Sequence, residues 1–138
     1  MRCGLLRACR DRFEGRARYE DTDLAGIVYY ANYFKFIERA RTEWVRGLGV
    51  DQQRLKDEAG IVFAVRRVEA DYLSPARFDD ALVVRTDVVR ITGVRIELRQ
   101  NVMRGEDVLF ASSVTLVALG EAGQPVRLPA IIRREMAP

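Results

Sequence analysis

Two carboxylates, Asp21 and Asp23, stand just before Gly26 and the start of a long helical pattern. A carboxylate can attack a carbonyl carbon or take a proton from water. A helix whose first N–H groups lack a side-chain cap offers them, together with its macrodipole, to a developing negative charge. No Ser, Thr, Asp or Asn immediately precedes Tyr30, so the backbone N–H groups at that helix start are candidate oxyanion donors. A loop through Gly26 would bring the two functions to one point, one group attacking or deprotonating while the other holds the oxyanion. The plainer reading is that Asn32 caps a helix beginning one turn later and that the aspartates are ordinary loop residues. On local pattern alone the plainer reading is the stronger.

Positioning such a pair falls to the elements around it. Tyr30, Phe34, Ile37, Trp44, Val45 and Leu48 recur near the spacing of one buried helix face. Lys35, Arg39, Glu43 and Arg46 fall on the opposite, solvated face. A helix over 30–48 runs about 28 Å at 1.5 Å per residue, enough to cross a small domain, and Gly47 and Gly49 supply its end. Ahead of it, Arg12 to Tyr19 alternates loosely through Phe13 and Ala17, as a first strand would. Behind it, Asp51 is placed to cap a short polar helix carrying Lys56 and Glu58, stopped by Gly60.

From Ile61 the period changes to two. Val62, Ala64, Val68, Ala70 and Tyr72 recur at even positions, interrupted by Arg66, until Ser74-Pro75 ends the strand. Three further strands are expected over 82–91, 94–103 and 108–119, with turns at Thr92-Gly93 and Gly105-Glu106-Asp107. Pro125 and Pro129 punctuate a tail that adds an edge segment or lies across the sheet. Nothing in this order calls for a parallel crossover. An α+β fold follows, with one antiparallel β-sheet wrapped around one long central α-helix.

Composition narrows the chemistry. The 138 residues suit one domain over 12–138 behind a flexible lead at 1–11, whose apolar part is too short and too interrupted for a secretory signal. No apolar run reaches bilayer length, so no integral membrane segment is expected. A net charge of +3, with no finger spacing or aromatic-basic platform, gives no argument for nucleic acid. Cys3 and Cys9 both lie in the lead and cannot staple the fold, which leaves the cytoplasm as the default location. The histidine count of zero excludes a Ser-His-Asp triad, an HExxH zinc site and a histidine proton shuttle within this chain. Hydrolysis here must use carboxylates, backbone dipoles or a hydroxyl, and neither metal nor cofactor is expected.

The stretch Asp21-Thr22-Asp23 through Tyr33 resembles the active-site signature of the 4-hydroxybenzoyl-CoA thioesterase family of the hotdog fold. Arg18-Tyr19-Glu20 before it and Phe36-Ile37-Glu38-Arg39-Ala40-Arg41-Thr42-Glu43-Trp44 after it are most similar to the acyl-CoA thioesterases associated with the Tol-Pal system. The likeness continues through Tyr72-Leu73-Ser74-Pro75-Ala76-Arg77 toward the C-terminus.

The resemblance implies a hotdog fold and hydrolysis of an acyl-CoA. Asp23 would be the catalytic carboxylate, as nucleophile or general base, and Tyr30 would give the backbone N–H that polarises the thioester oxygen. Gly26, Ile27 and Val28 would line the substrate, with Glu38 beside the acyl pocket and Asp21 a structural loop residue. The family pairs sheets edge to edge, which implies a homodimer or homotetramer. Tyr30 stands where the Tol-Pal-associated enzymes usually carry histidine and the hydroxybenzoyl-CoA enzyme carries tyrosine. The family's basic cluster for the CoA nucleotide falls near Thr92-Gly93-Val94, where only Arg90 and Arg95 flank the turn. Dehydratase and hydratase relatives generally rely on the histidine that this chain lacks. A non-catalytic acyl-thioester-binding or scaffold protein of the envelope or lipid-synthesis machinery is the alternative.

Overall fold

In a computed structural model of the chain, which describes residues 10–17 and 32–135, the long helix spans Asn32–Gly47 (α1). Its buried face is Tyr33, Phe36, Ile37, Ala40, Trp44 and Val45. Phe34, expected on that face, is 38% exposed. At 100° per residue it falls on the margin of the buried arc, while Phe36 and Ala40 lie inside it. Lys35, Arg39, Glu43 and Arg46 face solvent as expected. Trp44 is 3% exposed, and truncating so large a buried ring costs about 3–5 kcal/mol in comparable cores.

The remaining elements are β1 (Arg10–Arg16), α2 (Gln52–Ala59), β2 (Val62–Tyr72), β3 (Ala81–Ile91), β4 (Arg95–Arg104), β5 (Asp107–Leu119), β6 (Pro125–Val126) and α3 (Ala130–Glu135). The strand β1 begins ahead of the expected Arg12 and ends at Arg16; Tyr19 lies outside the described residues. The short helix α2 has the expected ends. Asp51 accepts a hydrogen bond from the Arg54 N–H at 3.0 Å, and Gly60 closes the helix at φ 67°.

All strand pairings are antiparallel, in the order β1-β3-β4-β5-β2. The tail strand β6 pairs with Ala118 and Leu119 of β5, just past the end of β4. It realises the edge-segment expectation. The helix α3 was not foreseen; it follows Pro129 directly and buries Ile132, and proline before a first turn is compatible with helix. The helix α1 lies on one face of this sheet. Leu82 and Val84 of β3, Ile96, Leu98 and Val102 of β4, and Phe110, Val114 and Leu116 of β5 complete the core. This is the α+β hotdog arrangement: one antiparallel sheet around one long helix.

The even-position pattern of β2 holds only in its second half. Val68, Ala70 and Tyr72 pair with the inward Val114, Ser112 and Phe110, but the register shifts between Val65 and Arg67. Before the shift the partners of the inward Leu116 and Ala118 are Val65 and Phe63. Val62 and Ala64 therefore point to the outer face, contrary to the simple alternation. The extra residue of a β-bulge flips the faces of the strand, and it sits where Arg66 interrupts the pattern.

Candidate active site

Asp21, Asp23, Gly26, Ile27, Val28 and Tyr30 all lie outside the described residues. The chain on either side of them is tied to a single segment, residues 73–80. At the entry, the Ala17 N–H donates to the Asp80 carbonyl at 3.1 Å and the Asp79 N–H donates to the Ala17 carbonyl at 2.7 Å. At the exit, the Ala76 N–H donates to the Tyr33 hydroxyl at 2.8 Å. The acid-bearing stretch therefore leaves and re-enters the described fold at one corner.

That corner is rigidly built. The Tyr33 ring stacks on Phe110 with centroids 5.0 Å apart, and Tyr72 meets both rings edge-on. Burial pushes the Tyr33 hydroxyl above its usual pKa, with the Ala76 N–H working against it. Behind the segment, the Asp80 carboxylate accepts from the Arg77 N–H at 2.7 Å and from Arg104 Nη1 at 2.9 Å. Partial burial acts to raise the Asp80 pKa, but these two donors outweigh it and hold the carboxyl below its ordinary value.

Glu38 lies one turn further along α1 and lines a cavity of about 290 Å³. Arg41, Thr42 and Val45 of α1, Phe63 and Val65 of β2, Ile96 of β4 and Leu116 of β5 share that lining. Sequence reasoning overlooked Arg41 and its support. Its Nη1 donates to Gln100 Oε1 at 2.8 Å, and the Gln100 amide donates in turn to the Ile37 carbonyl and to Thr86 Oγ1, each at 3.0 Å. Ser112 Oγ donates to the Gln100 carbonyl at 2.6 Å. Burial pulls the Arg41 pKa below its ordinary value, and neighbouring Glu38 acts in the opposite sense. A signal was present: Gln100 falls in the inward series Ile96, Leu98, Gln100, Val102, and an inward amide needs partners.

Arg90 and Arg95 flank the β3–β4 turn, and the lining of the Glu38 cavity includes neither. Thr92 Oγ1 fixes this turn by accepting from the N–H groups of Val94 and Arg95 at 3.2 and 3.1 Å. The exposed Arg90 has a partly exposed carboxylate partner, Glu97, at 3.9 Å, a pairing of little energetic weight. The tail adds a third arginine that the sequence did not announce. The Leu128 N–H donates to the Gly93 carbonyl at 2.9 Å, and the Arg127 guanidinium lies 3.5 Å from where a β-carbon on Gly93 would stand. No helix among the described residues is long and apolar enough to cross a membrane.

Comparison with known proteins places this geometry among related chains. The family model of the thioesterase superfamily matches residues 25–111. The chain is similar to the acyl-CoA thioesterase YbgC of Haemophilus influenzae, 41% identical over 119 residues that cover 85% of this chain and 87% of that protein. It is similar to the crystal structure of a probable thioesterase from Bartonella henselae, with 33% identity, a TM-score of 0.83, and coverage of 87% of this chain and 99% of that one. The fold is also shared with a crystal structure of a 4-hydroxybenzoyl CoA thioesterase complexed with 4-hydroxybenzoyl CoA, at a TM-score of 0.84 and 21% identity over 93% of this chain and 99% of that one.

Proposed function

The chain belongs to the thioesterase superfamily, and from that premise we propose that it hydrolyses an acyl-CoA thioester to the free acid and CoA. The observation that carries this reading is the likeness to the Haemophilus influenzae acyl-CoA thioesterase, which extends over most of both chains. The lack of histidine leaves carboxylates, backbone donors or a hydroxyl for the chemistry. Asp23 is the proposed carboxylate. As nucleophile, its oxygen bonds to the thioester carbon, the C–S bond breaks, and water then splits the mixed anhydride. As general base, it takes a proton from the attacking water and the departing thiolate is protonated in turn.

In both routes negative charge builds on the carbonyl oxygen, and the Tyr30 backbone N–H is the proposed donor to it. Gly26, Ile27 and Val28 are proposed to run along the thioester, and Glu38 to border the acyl end. Support comes from the shared anchorage of both flanks of the 18–31 stretch on residues 73–80, which sets its two ends at one corner of the fold. Arg90 and Arg95 are proposed for the CoA nucleotide, since an arginine fork can pair with phosphate.

Assembly is part of the proposal: a homodimer at least, and a homotetramer by pairing of dimers. The strand β2 stands at one edge of the sheet, with Val62, Val65 and Tyr72 between 38% and 48% exposed. Long apolar edges are normally paired or covered. A thiol-release assay with purified protein and a panel of acyl-CoAs tests the activity. Turnover of at least one member is expected, and no turnover across the panel would overturn the reading in favour of a non-catalytic acyl-thioester-binding protein. A stable, active monomer by light scattering would remove the assembly.

A further inference from the structure

Arg41 is held in place by the buried Gln100. It lies on the margin of the buried arc of α1, half-buried, and its side chain lines the 290 Å³ cavity. One guanidinium nitrogen is committed to Gln100. Gln100 cannot turn away, because both hydrogens of its amide are taken by the Ile37 carbonyl and Thr86. Arg41 is thus aimed by a buried framework. Among the described residues it forms no ion pair: Glu38, one turn earlier on the same cavity, acts on it through space only, without a salt bridge. The walls around it are mixed: Val45, Phe63, Val65, Ile96 and Leu116 are apolar, and Thr42 and Gln52 are polar.

A half-buried cation is stabilised when an anion meets it in a paired, hydrogen-bonded contact. A closely paired anion, which the exposed Glu38 does not supply, can come with the ligand. We infer that the cavity receives the far end of a short acyl group terminating in a carboxylate, with the Arg41 guanidinium as its counter-ion. The planar fork still has free N–H donors after the bond to Gln100, enough for a paired contact with two carboxylate oxygens. Glu38 is exposed, so water screens its repulsion more than it screens the attraction of the deeper Arg41. A cavity of about 290 Å³ is at the small end of ligand sites, which favours an acyl chain of a few carbons. This inference rests on the thioesterase reading for calling the ligand an acyl group. Recognition of the carboxylate by Arg41 does not.

The test compares glutaryl-CoA with valeryl-CoA, which have equal carbon counts and differ in a terminal carboxylate. Wild-type protein is expected to favour glutaryl-CoA in kcat/KM by about tenfold or more, since an unmatched charged site rejects the methyl end. Arg41→Gln retains a hydrogen-bonding partner for Gln100 and should abolish that ratio. Arg41→Lys retains the charge without the fork and should restore part of it. Thermal melts of each variant confirm folding, and if Arg41→Gln does not fold, the ratio in Arg41→Lys decides. A second measurement is independent of turnover: calorimetric titration with monomethyl glutarate, using uncharged dimethyl glutarate as control. Binding of the first alone, lost in Arg41→Gln, supports the site even if no acyl-CoA is hydrolysed, in which event only the thioesterase reading fails. Equal or greater preference of the wild type for valeryl-CoA, a ratio unchanged in Arg41→Gln, or no discrimination between the two esters overturns the inference.

Discussion

The Tyr33 hydroxyl accepts the backbone N–H of Ala76 at 2.8 Å, joining the first turn of α1 to the segment between β2 and β3. Tyr33 is 3% exposed and Ala76 is fully buried, so water has little access to either partner. Tyr33→Phe keeps the ring stacked on Phe110 but strands the Ala76 N–H. The expected cost is about 1–3 kcal/mol, read from the urea midpoint at unchanged slope. A loss below about 0.5 kcal/mol would mean that the segment finds another acceptor for that N–H.

Asp23→Asn should remove thioesterase activity while the folded circular-dichroism spectrum is retained. Retention of more than about a tenth of the wild-type rate would leave under about 1.4 kcal/mol of barrier on that carboxylate, too little for the proposed role. Asp21→Asn is the control, and its effect should be much milder.

Exchanging Arg90 and Arg95 together for alanine should raise KM for acyl-CoA and change kcat little, as expected when a contact is equal in ground and transition states. A truncated acyl thioester without the nucleotide should be less affected. Arg127, which overlies the same turn at Gly93, should add to the effect when it is exchanged as well. Equal KM changes on full and truncated substrates would remove these arginines from the nucleotide site.

Asp80 links stability to pH with a definite sign. Its folded pKa is held down by the Arg77 N–H and Arg104, below the unfolded value of about 3.9. Between the two values the unfolded chain binds more protons, so stability rises with pH there. The contribution is complete above about pH 3.9 and is lost as pH falls through the folded pKa. Asp80→Asn should flatten the acid limb of a melting-temperature profile. It should cost about 1 kcal/mol at neutral pH, since the carboxylate is partly exposed. An unchanged acid limb would show that other carboxylates govern it.

The elements around the site were legible because local rules and tertiary packing agree there. Asp51 and Gly60 bound α2 by capping chemistry alone, and the glycine at 105, with φ 61°, turns β4 into β5. Arg66 showed where β2 breaks, but not that the break reverses its faces, because a bulge is a property of two strands and the pattern was read on one. The position of Phe34 was misjudged for a related reason: where the margin of a buried arc falls depends on what the helix packs against. Arg41 and Arg127 escaped notice because a lone arginine has no periodic signature. Its meaning comes from Gln100 in one instance and Gly93 in the other, both distant in sequence. The roles of Asp23 and Tyr30 remain readings of sequence and family, since both fall outside the described residues.

Gln100 also restricts how the molecule can adapt. Its amide grips the Ile37 carbonyl on α1 and Thr86 on β3 at once, while its oxygen takes Arg41 one turn further along the helix. A ratchet of α1 by one turn, about 5.4 Å, would break all three bonds inside the core, and a rotation of the helix would break at least two. The helix therefore acts as a fixed rail, and adjustment of the cavity beside it falls to side chains such as Phe63 and Val65 on the edge strand.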